Sequence, residues 1–251
     1  MTLFVSEFGD KSGPMLVFIH GGGVSGWMWD KQVECFQEQY YIVVPDLPSH
    51  GKSRAKEFTT IHDAAQDIVE LILERDHGQH ITIIGFSLGA QIALEVLSIS
   101  GVRIDRAIII SGLVTPMKFT RSITKPLVRI SMPLTKNRLF SKLQAKVLYV
   151  GEEYLELYYQ DSSLISMNAL LNVLDENMSY YIPKGFNQGK AKVLVLVGAK
   201  EKKPILKSSD VIVSSSEYCE RQVIPNIGHG ISLANPSLFN HIMDTWMNEE
   251  G

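Results

Sequence analysis

Two glycine-rich stretches carry residue types suited to nucleophilic attack on a carbonyl. In "GFSLG" (85–89), Ser87 stands between glycines where the apolar run "ITII" passes into the helical run "LGAQIALEVL". A serine on so tight a strand-to-helix turn is strained, with its hydroxyl exposed at a sheet edge, and flanking glycines let the backbone approach closely. The five letters alone are weak, arising by chance in roughly one chain in ten of this length. The strand before them and the helix after them make them informative. Gly89, Ala90 and Ala93 let that helix lie close on a sheet, its positive N-terminal end near developing negative charge. In "HGGGVSGWMW" (20–29), directly after another apolar run, the glycines free backbone N–H groups to point at a tetrahedral oxyanion. Gly22, two residues past His20, is the favoured donor, with Gly23 its rival. The second donor is the N–H of Leu88, the residue after the nucleophile. Losing one such donor raises a barrier by about 2.7–4 kcal/mol.

A third stretch, "VPDLPSHGKS" (44–53), gathers Asp46, His50 and Ser53 within ten residues. Those are the three side-chain types of a serine hydrolase. Whether they form the site depends on the elements that carry them.

Those elements follow an α/β rhythm. "MLVFIH" (15–20), "YYIVVPD" (40–46), "HITIIGF" (80–86), "RAIIISG" (106–112), "KVLVLVG" (192–198) and "RQVIPN" (221–226) read as strands. Most are continuously apolar, as parallel strands covered on both faces are. Their ends are rich in Gly, Pro, Asp and His, and in an open α/β sheet the carboxyl edge is where ligands bind. Residues 60–76 place Ile61, Ala64, Ala65, Ile68, Leu71 and Ile72 on one helical stripe, with Thr59 or Thr60 as cap. Residues 236–248 follow Asn235 as a cap and begin with Pro236, predicting a second core-facing helix. Between about 114 and 190 the strand pattern stops, and "AKVLYV" (145–150) is ambiguous between strand and helix. The simplest parse is a core at 1–113 and 191–251 with a mostly helical insertion at 114–190.

Composition narrows the class. The 251 residues are 45% hydrophobic and 20% charged, enough for one large domain with a substantial interior. A formal net charge of −3 gives no reason to expect a nucleic-acid partner. Cys35 and Cys219 are far apart and lack metal-ligand spacing, which predicts two reduced thiols. There is no basic-then-apolar N-terminal leader and no apolar run long enough for a membrane span. A soluble cytoplasmic protein is expected.

The order "HGGGVSGWMW", "PDLPSHGKS", "GFSLG" and a late "GHG" resembles that of α/β-hydrolase fold proteins over nearly the whole chain. The resemblance implies an α/β-hydrolase fold: a mostly parallel eight-stranded sheet with helices on both faces, and the 114–190 insertion as a cap or lid. It also implies a nucleophile–acid–histidine triad in that chain order. Asp46 and His50 then come too early, and the 44–53 stretch becomes a turn at the pocket edge. Ser49 departs from the family pattern, which often has glycine there. His229, after the last strand and between two glycines, is the candidate base; His77 and His80 precede the serine, and His241 lies inside the last helix. Glu201, three residues past Gly198, is the candidate acid, although aspartate is commoner in the family. Asp175 and Glu176 in the insertion and Asp210 in the following helix are its rivals, while Asp105 precedes its strand, at the wrong sheet edge.

The expected chemistry is acyl transfer to water from a carboxylic ester, thioester or lactone through an acyl-enzyme on Ser87, with no metal or organic cofactor. The same triad could serve C–C hydrolysis, cofactor-free lyase chemistry or acyl transfer to an alcohol, and a receptor could keep the pocket without turnover. The partner is a small molecule with a mostly apolar acyl group; nothing in the sequence sets an oligomeric state. From Ala107 to Gly151 there is no Asp or Glu, while Lys118, Arg121, Lys125, Arg129, Lys136, Arg138, Lys142 and Lys146 are basic. That run is either a solvated face balanced by Glu152, Glu153 and Glu156, or a positive field that steers an anionic substrate or rests on an acidic surface, with Leu127, Val128, Ile130 and Leu134 lining an acyl pocket.

Overall fold

The apolar runs pair into one sheet. The computed structural model describes residues 2–249, and of 118–122 the backbone alone. Its strands are β1 (Val5–Phe8), β2 (Met15–Ile19), β3 (Tyr41–Pro45), β4 (Ile81–Phe86), β5 (Arg106–Ile110), β6 (Lys192–Gly198) and β7 (Cys219–Ile224). They lie in the order β1-β3-β2-β4-β5-β6-β7, with β1 antiparallel to β3 and every other pairing parallel. Every residue of β2, β3 and β4 is buried, which explains why these strands read as unbroken apolar runs rather than alternating ones.

The sheet has seven strands among the described residues rather than the expected eight. The residues before β1 continue the β1–β3 pairing: Asp46 N–H donates to the Phe4 carbonyl at 2.9 Å, and Phe4 N–H to Ser53 Oγ at 2.8 Å. β1 is thus the edge strand on this side of the sheet. β1 itself gives little sequence signal, because "VSEF" is short and only half-buried. β7 begins at Cys219, two residues before the apolar cue, since it is an edge strand that exposes Glu220, Arg221 and Gln222.

Alternate side chains feed two apolar layers. Met15, Val17 and Ile19 face one way and pack with α2 (Ile61–Leu73) and α3 (Leu88–Val96) through residues such as Ile68 and Ala93. Leu16 and Phe18 face the other way, against Trp29, Phe36 of α1 (Asp30–Phe36) and Phe239. The predicted caps are in place: Asp63 N–H donates to Thr60 Oγ1 at 3.0 Å ahead of α2, and Leu238 N–H to Asn235 Oδ1 at 3.1 Å at the last helix.

Between β5 and β6 the chain builds α4 (Lys118–Ser131), α5 (Arg138–Val147), α6 (Leu155–Leu164) and α7 (Met167–Ser179). The ambiguous "AKVLYV" is the end of α5 and the turn after it, with Tyr149 at φ 58°. One side chain of α3 ties the start of this segment to α7. Gln91 Nε2 donates to the carbonyls of Leu113 (2.6 Å) and Asn177 (2.9 Å), and Asn177 Nδ2 donates to Gln91 Oε1 at 2.8 Å. After β6 come α8 (Lys203–Ser214), then β7, α9 (Ile231–Ala234) and α10 (Pro236–Asn248).

The tightest fit in the core lies where α3 meets the sheet. A Cβ on Gly85 would sit 2.2 Å from the Gly89 carbonyl oxygen, and one on Gly89 2.2 Å from that of Ile19. Gly89→Ala is therefore expected to lower stability by about 3 kcal/mol or more, because the obstacle is backbone and cannot swing aside. Gly78, at φ 91° with nothing within 4 Å of a Cβ, should lose only about 1–2 kcal/mol as Ala, the cost of a left-handed backbone alone. Urea unfolding of the two variants measures the difference.

Candidate active site

Ser87 joins β4 to α3 at φ 53°, ψ −108°, a backbone that residues other than glycine rarely adopt. The surroundings hold it there. Its N–H donates to the Ile110 carbonyl at 2.9 Å, and its own carbonyl accepts from the N–H groups of Ala90 (3.1 Å) and Gln91 (3.3 Å). The close approaches at Gly85 and Gly89 fix the turn from both sides, and the serine side chain remains partly exposed. Local strain of this kind persists only where packing over-determines it.

Glu201 and His229 stand on the loops after β6 and β7. His229 Nδ1 and Glu201 Oε1 are 2.8 Å apart, with the carboxylate 3% exposed and the imidazole 23%. The two loops are bound to each other: Ala199 N–H donates to the Ile224 carbonyl and Lys200 N–H to that of Ile227, both at 2.8 Å. A Cβ on Gly198 would fall 2.3 Å from the Ile227 oxygen, so this approach needs glycine. Burial pushes the Glu201 carboxyl up, but His229, the Ser111 hydroxyl and the Lys202 N–H all donate to it, and the net effect holds it below its ordinary value. A carboxylate kept ionised requires the proton on Nδ1 and leaves Nε2 free to accept. The His229 ring lies 4.8 Å from that of Phe86, the residue before Ser87. Tyr149 Oη, from the segment between β5 and β6, accepts from Gly228 N–H at 3.0 Å and steadies the histidine loop.

A Cβ on Gly22 would lie 3.8 Å from Leu88 Cδ2 and 3.3 Å from Val173 of α7. The glycine loop and the start of α3 are thus neighbours. Gly23, at φ 80°, faces open space.

The 44–53 stretch has structural work. Asp46 Oδ1 accepts from Gly26 N–H (2.9 Å) and Oδ2 from Lys52 N–H (2.8 Å), tying the first glycine loop to this one. Ser53 Oγ receives Phe4 N–H. Ser49, where the family pattern often has glycine, takes the left-handed backbone itself at φ 65°, and its hydroxyl oxygen accepts from Phe58 N–H at 2.9 Å. His20 is fully buried: Leu47 N–H donates to Nε2 at 2.9 Å, so Nδ1 carries the proton and donates to the Gly21 carbonyl at 2.7 Å. His50 is buried as well, with Nδ1 bonded to the Pro48 carbonyl at 2.8 Å and its ring 5.2 Å from that of His20.

The rival acids are placed elsewhere. Glu176 accepts from Ile61 N–H at 2.9 Å, Asp210 pairs with Arg221, and Asp105 accepts from Ile81 N–H at 2.8 Å at the opposite end of the strands. Asp175 lies on α7 with Glu176. Of the residues expected to line an acyl pocket, Val128 is buried, but Leu127, Ile130 and Leu134 are exposed; they lie on the outward side of α4 and the short helix after it. In the basic run, Arg138 pairs with Glu156 (2.5 Å) and Lys142 with Glu152 (3.1 Å), which favours the solvated, balanced face over a free field. Lys118 and Arg121 fall outside the described side chains. Sequence reasoning missed Ser111, Tyr149 and Asp161. Ser111 had a signal, since it directly follows β5 at the edge that carries the other groups; the remaining two are brought in by tertiary packing.

A sequence model of the Alpha/beta hydrolase family matches residues 16–241. The chain belongs to that family. It is 21% identical over 250 residues to (E)-2-((N-methylformamido)methylene)succinate hydrolase of Acinetobacter baylyi, covering 96% of this chain and 92% of that one. A pimeloyl-[acyl-carrier protein] methyl ester esterase of Nitrosomonas europaea is 29% identical over 101 residues, 40% of this chain and 38% of that one. Among solved structures, a bromoperoxidase from Bacillus anthracis superposes with a TM-score of 0.84 at 18% identity, covering 98% of this chain and 95% of the other. An esterase from Exiguobacterium antarcticum gives 0.80 at 19%, covering 98% and 96%. No helix among the described residues is long and apolar enough to cross a membrane.

The buried histidines make stability depend on pH. Burial, followed by the neighbouring His50, lowers the His20 pKa to about 3, whereas an unfolded chain titrates near ~6.5. As pH falls below ~6.5 the unfolded state takes up the proton first, so stability drops between there and about 3, by about 2 kcal/mol at pH 5. Burial lowers the His50 pKa too and adds in the same direction. Urea midpoints are expected to fall from pH 7 to pH 5, with a shallower fall in His20→Gln.

Proposed function

We propose that the protein is a serine hydrolase that cleaves a small ester-type substrate, a carboxylic ester, thioester or lactone, through an acyl-enzyme on Ser87. The observation that carries the reading is the buried Glu201 carboxylate bonded at 2.8 Å to His229, on the sheet edge where Ser87 sits in its strained turn. Nε2 of His229 accepts the Ser87 proton as the hydroxyl attacks the carbonyl and returns it to the leaving group. Glu201 fixes the tautomer and stabilises the imidazolium. Gly22 and Leu88 donate their backbone N–H groups to the oxyanion. Water then repeats the cycle on the acyl-enzyme and releases the acid.

The segment from 114 to 190 acts as the cap of this site, through Val173 beside Gly22 and Tyr149 on the histidine loop. The names of the relatives agree with hydrolysis at a carbonyl: one is a methyl ester esterase, another a 3-oxoadipate enol-lactonase and a third a succinate-derivative hydrolase.

A fluorophosphonate probe is expected to label the Ser87 peptide of the native protein and to leave Ser87→Ala unlabelled. On aryl esters, Glu201→Gln should lose roughly 10³–10⁴-fold in kcat with its fold intact, as wrong-tautomer substitutions do. Normal turnover by Glu201→Gln together with loss in Asp175→Asn would move the acid to α7.

A further inference from the structure

α6 reaches the glycine loop through a single carboxylate. Asp161 Oδ2 accepts from Ser25 Oγ and from Trp27 Nε1, both at 2.7 Å, across more than 130 positions of sequence. The residue between those two donors is held from the core, where Asp46 Oδ1 accepts Gly26 N–H at 2.9 Å. Ser25, Gly26 and Trp27 are thus gripped between two carboxylates, one from the core and one from the cap. Tyr154, just ahead of α6, adds a stacked contact with Trp27 at 5.3 Å.

Such an arrangement has no need to exist for anchoring alone. Two acidic groups flank one tripeptide: burial, and then the nearby Asp46, push the Asp161 carboxyl up, against the hydrogen bonds from Ser25 and Trp27 and the attraction of Arg54. An apolar contact would dock a helix there without desolvating a carboxylate. What the carboxylate adds is direction: charge-assisted hydrogen bonds fix donors at set positions, as apolar packing does not. The segment also borders a pocket of about 300 Å³ of mixed lining, where Asp46, Lys52, Arg54 and Asp161 stand beside Phe4 and Leu157. Three residues upstream of Ser25 is Gly22.

We infer that Asp161 is a positioning residue: from the cap, it sets the Ser25–Trp27 segment and thereby the geometry of the Gly22 N–H at the oxyanion. This rests on the reading of Gly22 and Leu88 as the oxyanion donors. Because a misplacement of 1 Å can cost about 10²-fold, the cap is part of the catalytic geometry and does more than cover the substrate.

The test compares Asp161→Ala, Asp161→Asn and Glu156→Gln; Glu156 lies on α6 with Asp161, and its exposed partners are Arg138 of α5 and Gln160. Asp161→Ala should lose roughly 10–10²-fold in kcat on an aryl ester while KM stays within about threefold, the split expected when a transition-state interaction is lost. Asp161→Asn keeps an oxygen acceptor and should recover most of that loss; Glu156→Gln should match the native protein. Amide exchange at residues 21–27 should speed up in Asp161→Ala and stay unchanged in Glu156→Gln. A native kcat in Asp161→Ala, even with a lowered Tm, overturns the inference, as does unchanged exchange at 21–27. If the native protein neither turns over aryl esters nor labels at Ser87, the hydrolase reading fails on its own. The exchange comparison then decides whether Asp161 holds the loop.

Discussion

Gly89 touches the backbone of the neighbouring strand, and much of the molecule is arranged around that contact. A side chain there would meet the Ile19 carbonyl at 2.2 Å. With none, α3 can lie directly against β2 and β4, and the chain can turn from strand to helix in one residue. That residue is Ser87, and the turn forces its φ positive. The strain is affordable because the parallel strands on either side are fully buried. The same contact brings Leu88 beside the glycine loop, since that loop leaves the strand whose last carbonyl Gly89 touches.

The opposite wall is built by a second backbone approach, between the loops after β6 and β7. Gly198 lets the Ile227 carbonyl come close, and two backbone hydrogen bonds hold the loops in register. Glu201 and His229 therefore meet through main-chain geometry before their side chains interact. Three donors then keep Glu201 ionised despite its burial, which sets the histidine tautomer. The electrostatics follow from the backbone contact.

Residues whose role is written in local pattern could be read from the chain. The continuous apolar runs marked β2 to β6, because burial on both faces leaves no polar alternation to mistake for a helix or a loop. "GFSLG" was readable because its glycines are demanded by contacts adjacent in the fold to the turn itself. β1 was not, being a short half-exposed edge strand whose partner supplies its identity. Asp161 was not either: nothing around "YYQDSS" distinguishes it from an exposed helical acid, and its meaning comes from Ser25 and Trp27, which only the folded chain brings near. Leu127, Ile130 and Leu134 posed the reverse problem, and their exposure agrees with the solvated face. Their spacing gives an amphipathic stripe, but periodicity cannot say which side of the helix the core occupies.

Gln91 gives the segment between β5 and β6 an architectural independence. Its amide nitrogen reaches the carbonyls of both Leu113 and Asn177 of α7, so the stretch between them starts and finishes at one side chain. A segment whose ends are already together is entropically cheap to lengthen, about 0.6 kcal/mol for each doubling. Exchange of everything between those two carbonyls would leave the sheet and the serine turn in place but would remove Tyr149, whose hydroxyl accepts Gly228 N–H beside His229. Any replacement would again have to supply one acceptor for Ser25 and Trp27 and another for Gly228 N–H.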